Sequence, residues 1–394
     1  MAYRVVQFFT GVIARENIRL IAADPQLELV GAVVHSESKD GVDVGEIAGI
    51  EAMGVRATRD VEQILAMEAD CVLYNAPRYD IDQVERILRS GKNVVTISGG
   101  WYPQLFPAEF ERLEAACLAG NVSLFGTGNM PGLIPDALPL FMSGFTAGVE
   151  RITARERTYH RNYNSREVML GALGYGSEIE EARSSVVPEV YHQALMQPAY
   201  MVAHAHGVDF DEFRLTKHEL AEAPRDIYLP SIDATIREGS VAGMRFEFSG
   251  FVRGRPWYVM EVEHVVELGL GAGWRANEEE PEFSVRIDGR PSLSCDFHTV
   301  GPGGGIQHVL ELNAARIVNS VVVVVVVVVV LLLLLLFRTS LGGRPGVCLN
   351  PRPTKAFIYR TAPVHENCPL AALKAPTPGP TPGFSAKNDA SGVG

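Results

Sequence analysis

Near the N-terminus the chain reads Gln7-Phe8-Phe9-Thr10-Gly11-Val12-Ile13-Ala14, between an apolar run and a helix-like segment. A turn that opens a helix can hold an anion, because backbone N–H groups and the positive end of the helix dipole converge there. In the pattern G-x-G-x-x-G, the first glycine permits the tight turn, the second admits a pyrophosphate and the third lets helix pack on strand. Those positions here are Phe9, Gly11 and Ala14. Alanine is an accepted variant at the third. Phenylalanine at the first is not, since a side chain forced into a glycine-only backbone conformation costs about 1–3 kcal/mol. Thr10, Gly11, Val12, Ile13 and Ala14 are therefore expected to contact a pyrophosphate. The alternative is a strand-to-helix turn that binds no nucleotide.

Other residues are weighed against the same chemistry. At the tip of the second strand-like run a carboxylate would bind the ribose diol of NAD, whereas a basic residue accommodates the 2′-phosphate of NADP. The chain presents His35, Ser36 and Lys39 there, with Glu37 and Asp40 beside them, which leans to NADP with NAD as the alternative. Asn75-Ala76-Pro77 closes a later strand, where small residues let a nicotinamide ribose approach. His204 and His206 invite a metal reading, but two residues apart on a helix they point to nearly opposite sides, so no metal site is expected. Lys217-His218-Glu219 reads as a solvated charge run.

The elements that must position these groups follow from periodicity. Tyr3–Phe9 suits a buried strand, Arg15–Ala23 a helix and Leu27–His35 a second strand, which is a βαβ unit with the turn where a pyrophosphate would sit. The alternation continues: helix 61–67, strand 70–75, helix 81–90, strand 93–97, helix 107–119, strand 123–127. The fold class expected is α/β, a Rossmann-like doubly wound parallel sheet. Asp288-Gly289 signals a hairpin turn, "RPWYVMEVEHVVEL" from Arg255 reads as sheet core, and Ile306–Ser320 as a helix with one buried face.

Composition bounds the rest. The 394 residues are 47% hydrophobic, enough for two domains. A net charge of −12 argues against a nucleic-acid partner, because such proteins carry a basic face that displaces counterions. Five cysteines without a CxxC pair suggest neither disulfides nor zinc, and the absence of a signal-peptide pattern points to the cytoplasm. Residues 321–337 are ten Val, six Leu and Phe. Their 17 residues stand at the short limit of a membrane span. A membrane anchor, an exposed aggregation-prone tract and a slipped reading frame are the competing accounts. The segment 338–394, with nine of the 24 prolines, is low in complexity and expected to be disordered.

Several segments resemble the dihydrodipicolinate reductase-like family, which includes the 2,4-diaminopentanoate dehydrogenases. They are "YRVVQFFTG" with the βαβ unit after it, His35-Ser36, Gly45-Glu46-Ile47-Ala48-Gly49, "GTGNMPGLIPDALPL" (126–140), "LGYG" (173–176), "GSVAGMRFEFSGFVRGRP" (239–256) and "AARIVNSV" (314–321). The resemblance implies a nucleotide-binding domain (1–135), an α+β substrate domain (136–300), a returning helix (301–320), the apolar run (321–337) and the tail (338–394). It implies an NAD(P)-dependent oxidoreductase acting on a small imine or amino-acid-like molecule, and relatives that often assemble as homo-oligomers. Classical members carry His-His-x-x-Lys for proton donation and carboxylate binding. This chain instead offers Tyr159-His160-Arg161. His160 is the candidate proton donor and Arg161 the candidate carboxylate partner. Phe9 and the missing motif also motivate a second account, a degenerate or cofactor-sensing relative without catalysis.

Overall fold

A computed structural model describes residues 2–301 and 304–340, with side chains through Val325. The first domain runs β1 (Tyr3–Phe8), α1 (Val12–Ala23), β2 (Leu27–Val33), α2 (Val44–Ala48), β3 (Ala57–Thr58), α3 (Val61–Ala66), β4 (Cys71–Tyr74), α4 (Ile81–Arg89), β5 (Asn93–Thr96), α5 (Pro107–Gly120) and β6 (Leu124–Gly126). The strands form one parallel sheet in the order β3-β2-β1-β4-β5-β6. Because crossover helices cover both faces, the strands are buried runs, as in the fully buried β4. Five of the strands were delimited by apolar runs; β3, two residues long, is too short to give one.

Two cores flank this sheet. On one face Ile18 and Ile21 of α1 and Val44 and Ala48 of α2 pack with Val5, Leu29 and Leu73. On the other, Ile64, Val84, Ile87, Leu113 and Cys117 from α3, α4 and α5 pack with Val6, Phe8 and Val94. Helices α3 and α4 are started by Asp60 and Asp80, whose carboxylates accept from the second and third helical N–H groups.

After α6 (Ala137–Ser143) the chain enters a second, mixed sheet: β7 (Ala147–Tyr159), α7 (Ile179–Arg183), α8 (Val187–Ala205), β8 (Glu212–Glu222), β9 (Ile227–Leu229), β10 (Ala234–Ile236), β11 (Val241–Val252), β12 (Arg255–Val265), β13 (Phe283–Arg290) and β14 (Leu293–Phe297). Six of these strands pair as β14-β13-β7-β12-β11-β8, with β7 and β12 parallel and the others antiparallel, and β9-β10 is a separate hairpin. Trp257 and Tyr258 lie in the core of β12 as the alternation suggested. The Asp288-Gly289 signal is displaced. Both residues belong to β13, at a register shift between Asp288 and Arg290, so the glycine marks a bulge and the turn to β14 comes two residues later.

The last helix, α9 (Gly305–Ser340), joins the domains. Ile306 and Val309 are buried in the second-domain core, and Ile317, Val318, Val321 and Val324 in the first. The helix continues through Ser320, and the first residues of the valine run belong to the core. Gly305–Val325 is long and apolar enough to cross a membrane, yet half of it is buried inside the protein. The apolar run beyond Val325 and the tail from 341 lie outside the side chains described.

Candidate nucleotide and substrate cleft

The turn from β1 to α1 has the form the glycine pattern demands. Phe9 has φ +64°, the left-handed region a glycine would occupy, so this backbone is strained by its side chain. The ring does not cover the turn. It packs edge-on against Phe8 (5.9 Å) and Tyr74 (6.4 Å), at the border of the core under α3 and α4. At Gly11 a Cβ would meet nothing within 4 Å, leaving room above the turn. Helix α1 begins at Gly11 with no side-chain cap and no acidic residue in its first turn. Its first N–H groups are thus free to meet an anion.

Under the turn lies an amide cluster. Gln7 Nε2 donates to Asn75 Oδ1 (3.0 Å), and Asn17 Nδ2 donates to Gln7 Oε1 and Asn75 Oδ1 (3.1 Å each). Gln7 and Asn17 are fully buried, while Asn75 Nδ2 and Asn17 Oδ1 are buried without a partner among the described residues. Unpaired buried amide atoms cost about 1–3 kcal/mol each. A polar ligand at the end of β4 would relieve that cost. Ala76 follows, half-buried, its carbonyl taking the Ser98 hydroxyl at 2.6 Å.

Lys39 ends a short 3₁₀ turn after β2. Its ammonium donates to Thr10 Oγ1 (3.1 Å) and O (3.4 Å), tying the tip of β2 to the turn. Burial first, and then the nearby Arg15 guanidinium, lower its pKa. Two cations therefore share the corner between β2 and α1. Arg15 was missed because it reads only as a helix residue; the signal was its place one helical turn after Gly11. His35 is exposed at the same tip. The open turn, the uncapped helix, the orphaned amides and the paired cations fit a nicotinamide dinucleotide. Thr10, Gly11, Val12, Ile13 and Ala14 would hold its pyrophosphate and Asn75 and Ala76 its nicotinamide side, with Lys39 and Arg15 at the adenosine ribose and His35 beside them.

The opposite wall starts from the loop after β6. Gly132 has φ +124°, and a Cβ there would stand 2.2 Å from Gly128 N, so only glycine permits this tight fold. Asp136 accepts from Gly132 N (2.9 Å) and Ala137 N (2.5 Å), and burial pushes its carboxyl up to about 6. The loop is pinned by α9 through Asn313 Oδ1, which accepts from Asn129 N at 2.8 Å, and by Tyr258, whose hydroxyl donates to Pro135 O at 2.7 Å. Along the free edge of β6, Trp101, Thr127, Asp136 and Arg316 line a cavity. Strand order places it three strands from β1, away from the nucleotide turn.

Helix α9 measures the gap between the walls. Gly305 packs against the Tyr159 carbonyl, and Asn313 is eight residues further on, about 12 Å at the α-helical rise. His160 follows directly after β7 and is 4% exposed. Its Nε2 is 2.9 Å from Thr158 Oγ1 and its Nδ1 3.2 Å from the Tyr175 hydroxyl. Burial, and then His264 beside it, hold it well below its ordinary pKa, so it is neutral at pH 7. The His160 and His264 rings are 4.4 Å apart. His264 Nδ1 meets the Tyr191 hydroxyl at 3.1 Å, and its Nε2 lies 3.4 Å from Glu156 Oε1. Arg161 points elsewhere, pairing with Glu267 at 3.0 Å.

His264, Glu156, Tyr175 and Tyr191 were not singled out from the sequence. A signal existed for two of them: in Ile152-x-Ala154-x-Glu156-x-Thr158 and Met260-x-Val262-x-His264, polar residues fall in phase with the core-facing side of a strand. His204 and His206 serve the end of α8, His204 Nδ1 lying 2.9 Å from the Tyr102 hydroxyl and His206 packing on Trp257. No cluster of metal-binding type occurs among the described residues.

The family described as dihydrodipicolinate reductase, N-terminus, matches residues 6–130. An amine dehydrogenase of Streptomyces virginiae is 29% identical over 317 residues, 75% of this chain and 84% of that protein. A 4-hydroxy-tetrahydrodipicolinate reductase of Synechococcus elongatus is 34% identical over 123 residues, 29% of this chain and 45% of that protein. The solved amine dehydrogenase of Mycobacterium smegmatis superposes with a TM-score of 0.68 at 18% identity, over 82% of this chain and 93% of that one; it shows that the two-domain fold is shared. The first domain is thus similar to the N-terminal domain of dihydrodipicolinate reductases and the chain as a whole to an amine dehydrogenase, a similarity that supports an NAD(P)-dependent oxidoreductase.

Proposed function

We propose that the protein is an NADP-dependent oxidoreductase that transfers hydride between the nicotinamide and a small amine or imine held between the β6 loop and the end of β7. The observation that carries this reading is the uncapped start of α1 over Gly11, with two cations beside it and orphaned amides beneath. The substrate class rests on the named activities of the relatives, an amine dehydrogenase and a 4-hydroxy-tetrahydrodipicolinate reductase. The choice of NADP over NAD rests on Lys39 and Arg15, since a 2′-phosphate would be met by two cations and no carboxylate pairs with either among the described residues.

When bound, the cofactor supplies or accepts the hydride. The protein's own residues do the rest. Asn75 and Ala76 position the ring at the end of β4, the Gly132 loop closes one side, and the wall of His160 handles protons. His160 is held by Thr158 and Tyr175 in a neutral, hydrogen-bonded state. Arg161 can meet a substrate carboxylate by exchanging Glu267 for it. The reading includes a cytoplasmic location and self-assembly.

Titration of the full chain with NADPH and NADH, followed by nicotinamide fluorescence, tests it. The expected result is micromolar binding with NADPH the tighter. Lys39→Ala should weaken NADPH about tenfold, or about 1.4 kcal/mol, and leave NADH unchanged. If folded protein binds neither nucleotide, the second reading stands: a degenerate relative, favoured by the strained Phe9.

A further inference from the structure

Two tyrosine–histidine pairs lie back to back in the second domain, and only one is backed by a charge. Tyr175 and Thr158 occupy the two nitrogens of His160, both neutral hydroxyls. Tyr191 meets Nδ1 of His264, whose Nε2 makes no hydrogen bond among the described residues and lies 3.4 Å from Glu156 Oε1. Glu156 and His264 are each 4% exposed, whereas Tyr191 on α8 keeps part of its surface open. Glu156 Oε2 is buried with no partner among the described residues. A buried carboxylate is stabilised by a donor, so it favours the tautomer with hydrogen on His264 Nε2 and leaves Nδ1 to accept from the tyrosine. At 3.4 Å the Glu156 contact is longer than a full hydrogen bond, as relay contacts often are outside the substrate complex.

We infer that Glu156, His264 and Tyr191 form a proton relay ending at the Tyr191 hydroxyl, which exchanges a proton with the nitrogen of the substrate. The inference rests on the amine or imine reading above. In the oxidative direction Tyr191 Oη takes a proton from the substrate ammonium while its own proton moves to His264 Nδ1, and the imidazolium so formed faces Glu156. The freed nitrogen lone pair becomes the second bond of C=N as the C–H bond breaks, its electron pair leaving as hydride to NADP⁺. The substrate thereby loses one proton and one hydride. Reduction reverses each step. Tyr191 is the catalytic residue; His264 and Glu156 are positioning residues that act through it.

The surroundings suit the task. Tyr191 stacks on Phe246 at 5.1 Å, and Phe246 stacks on His218 at 5.0 Å. Burial, Glu156 and Tyr163 raise the pKa of the Tyr191 phenol, so it stays protonated until a base takes its proton. His160 stands beside His264, and two imidazolium rings 4.4 Å apart would repel. Since His160 stays neutral, a transferred proton resides on the ring that Glu156 faces. The groups facing His264 are thus Glu156 and His160 from β7 and its end and Tyr191 from α8, while Tyr163 and Tyr175 flank the His160 ring.

The test uses the full chain, with NADPH, ammonium chloride and butanone as the probe reaction. Tyr191→Phe should lower kcat about 100-fold or more with NADPH binding unchanged. Glu156→Gln should lower kcat and move the acidic limb of its pH profile, a change that a merely structural role would not produce. A Tyr191→Phe enzyme within threefold of wild type would overturn the relay. If wild type binds NADPH but does not turn over, the reading of the substrate has failed, and the relay is judged by ¹⁵N NMR of the histidines. Hydrogen on His264 Nε2, lost from that nitrogen in Glu156→Gln, supports it; hydrogen on Nδ1 in wild type overturns it.

Discussion

Basic side chains meet different fates in two regions of the molecule, the second sheet and the turn that opens α1. In the second sheet Arg155 pairs with Glu261, Arg157 with Glu263 and Glu280, and Arg245 with Glu219 and Glu263. In the first domain Arg15 and Lys39 stand together at the uncapped end of a helix, with no ion pair among the described residues, and buried amides beneath them lack partners. Paired charges hold a sheet together, whereas converging unpaired ones mark a place built for a ligand. On this comparison, changes to the second group should be felt as stability, and changes to the first as binding.

The sharpest contrast is expected at Glu263, which is 3% exposed and accepts from Arg157, Arg245 and Arg275 N. Glu263→Gln would leave two half-buried guanidinium groups short of a buried counter-charge and should destabilise the fold by about 3 kcal/mol, read by urea unfolding. A loss below about 1 kcal/mol would break the comparison.

Asp136, at the junction, gives a smaller effect with a defined sign. Its folded pKa, about 6, lies above the ordinary 3.8, so the folded state holds its proton more tightly. That stability is fully present below pH 3.8 and is lost as pH rises through 6. The difference in unfolding free energy between wild type and Asp136→Asn should therefore shift by about 2 kcal/mol in favour of the variant between pH 4 and 7. A pH-independent difference would mean that the carboxyl is not held this way.

The smallest effect is expected at Phe9. Its strained backbone is offset by a ring packed on Phe8 and Tyr74, away from the turn. Phe9→Gly should therefore leave NADPH affinity within about threefold, measured by the same fluorescence titration. A gain of tenfold or more would show that the ring obstructs the cofactor and would move this turn from the built class to the decayed one.

The first domain was legible from the sequence because its strands are continuous apolar runs and its helices keep a 3.6-residue period. The places of Thr10, Gly11, Lys39 and Asn75 in the fold were legible with it, since the βαβ unit fixes where a turn and a strand tip must lie. The second domain's site was not. Glu156, Tyr175, Tyr191 and His264 span more than a hundred residues and are brought together by β7 pairing in parallel with β12 under α8. The Asp288-Gly289 signal misled because a bulge uses the same residues as a turn.

By itself, then, the sequence determined the alternation of elements, the turn between β1 and α1 and the unusual residue in it, since each depends on neighbours within a few positions. Only the tertiary structure decided that the Phe9 ring turns away from the turn, that Arg15 joins Lys39, that Arg161 is taken by Glu267 and that His264 rather than His160 is backed by a carboxylate. Those outcomes depend on which strands pair and how helices cover them. Hydrogen bonds and charges act over a few ångströms of space, however far apart their residues lie along the chain.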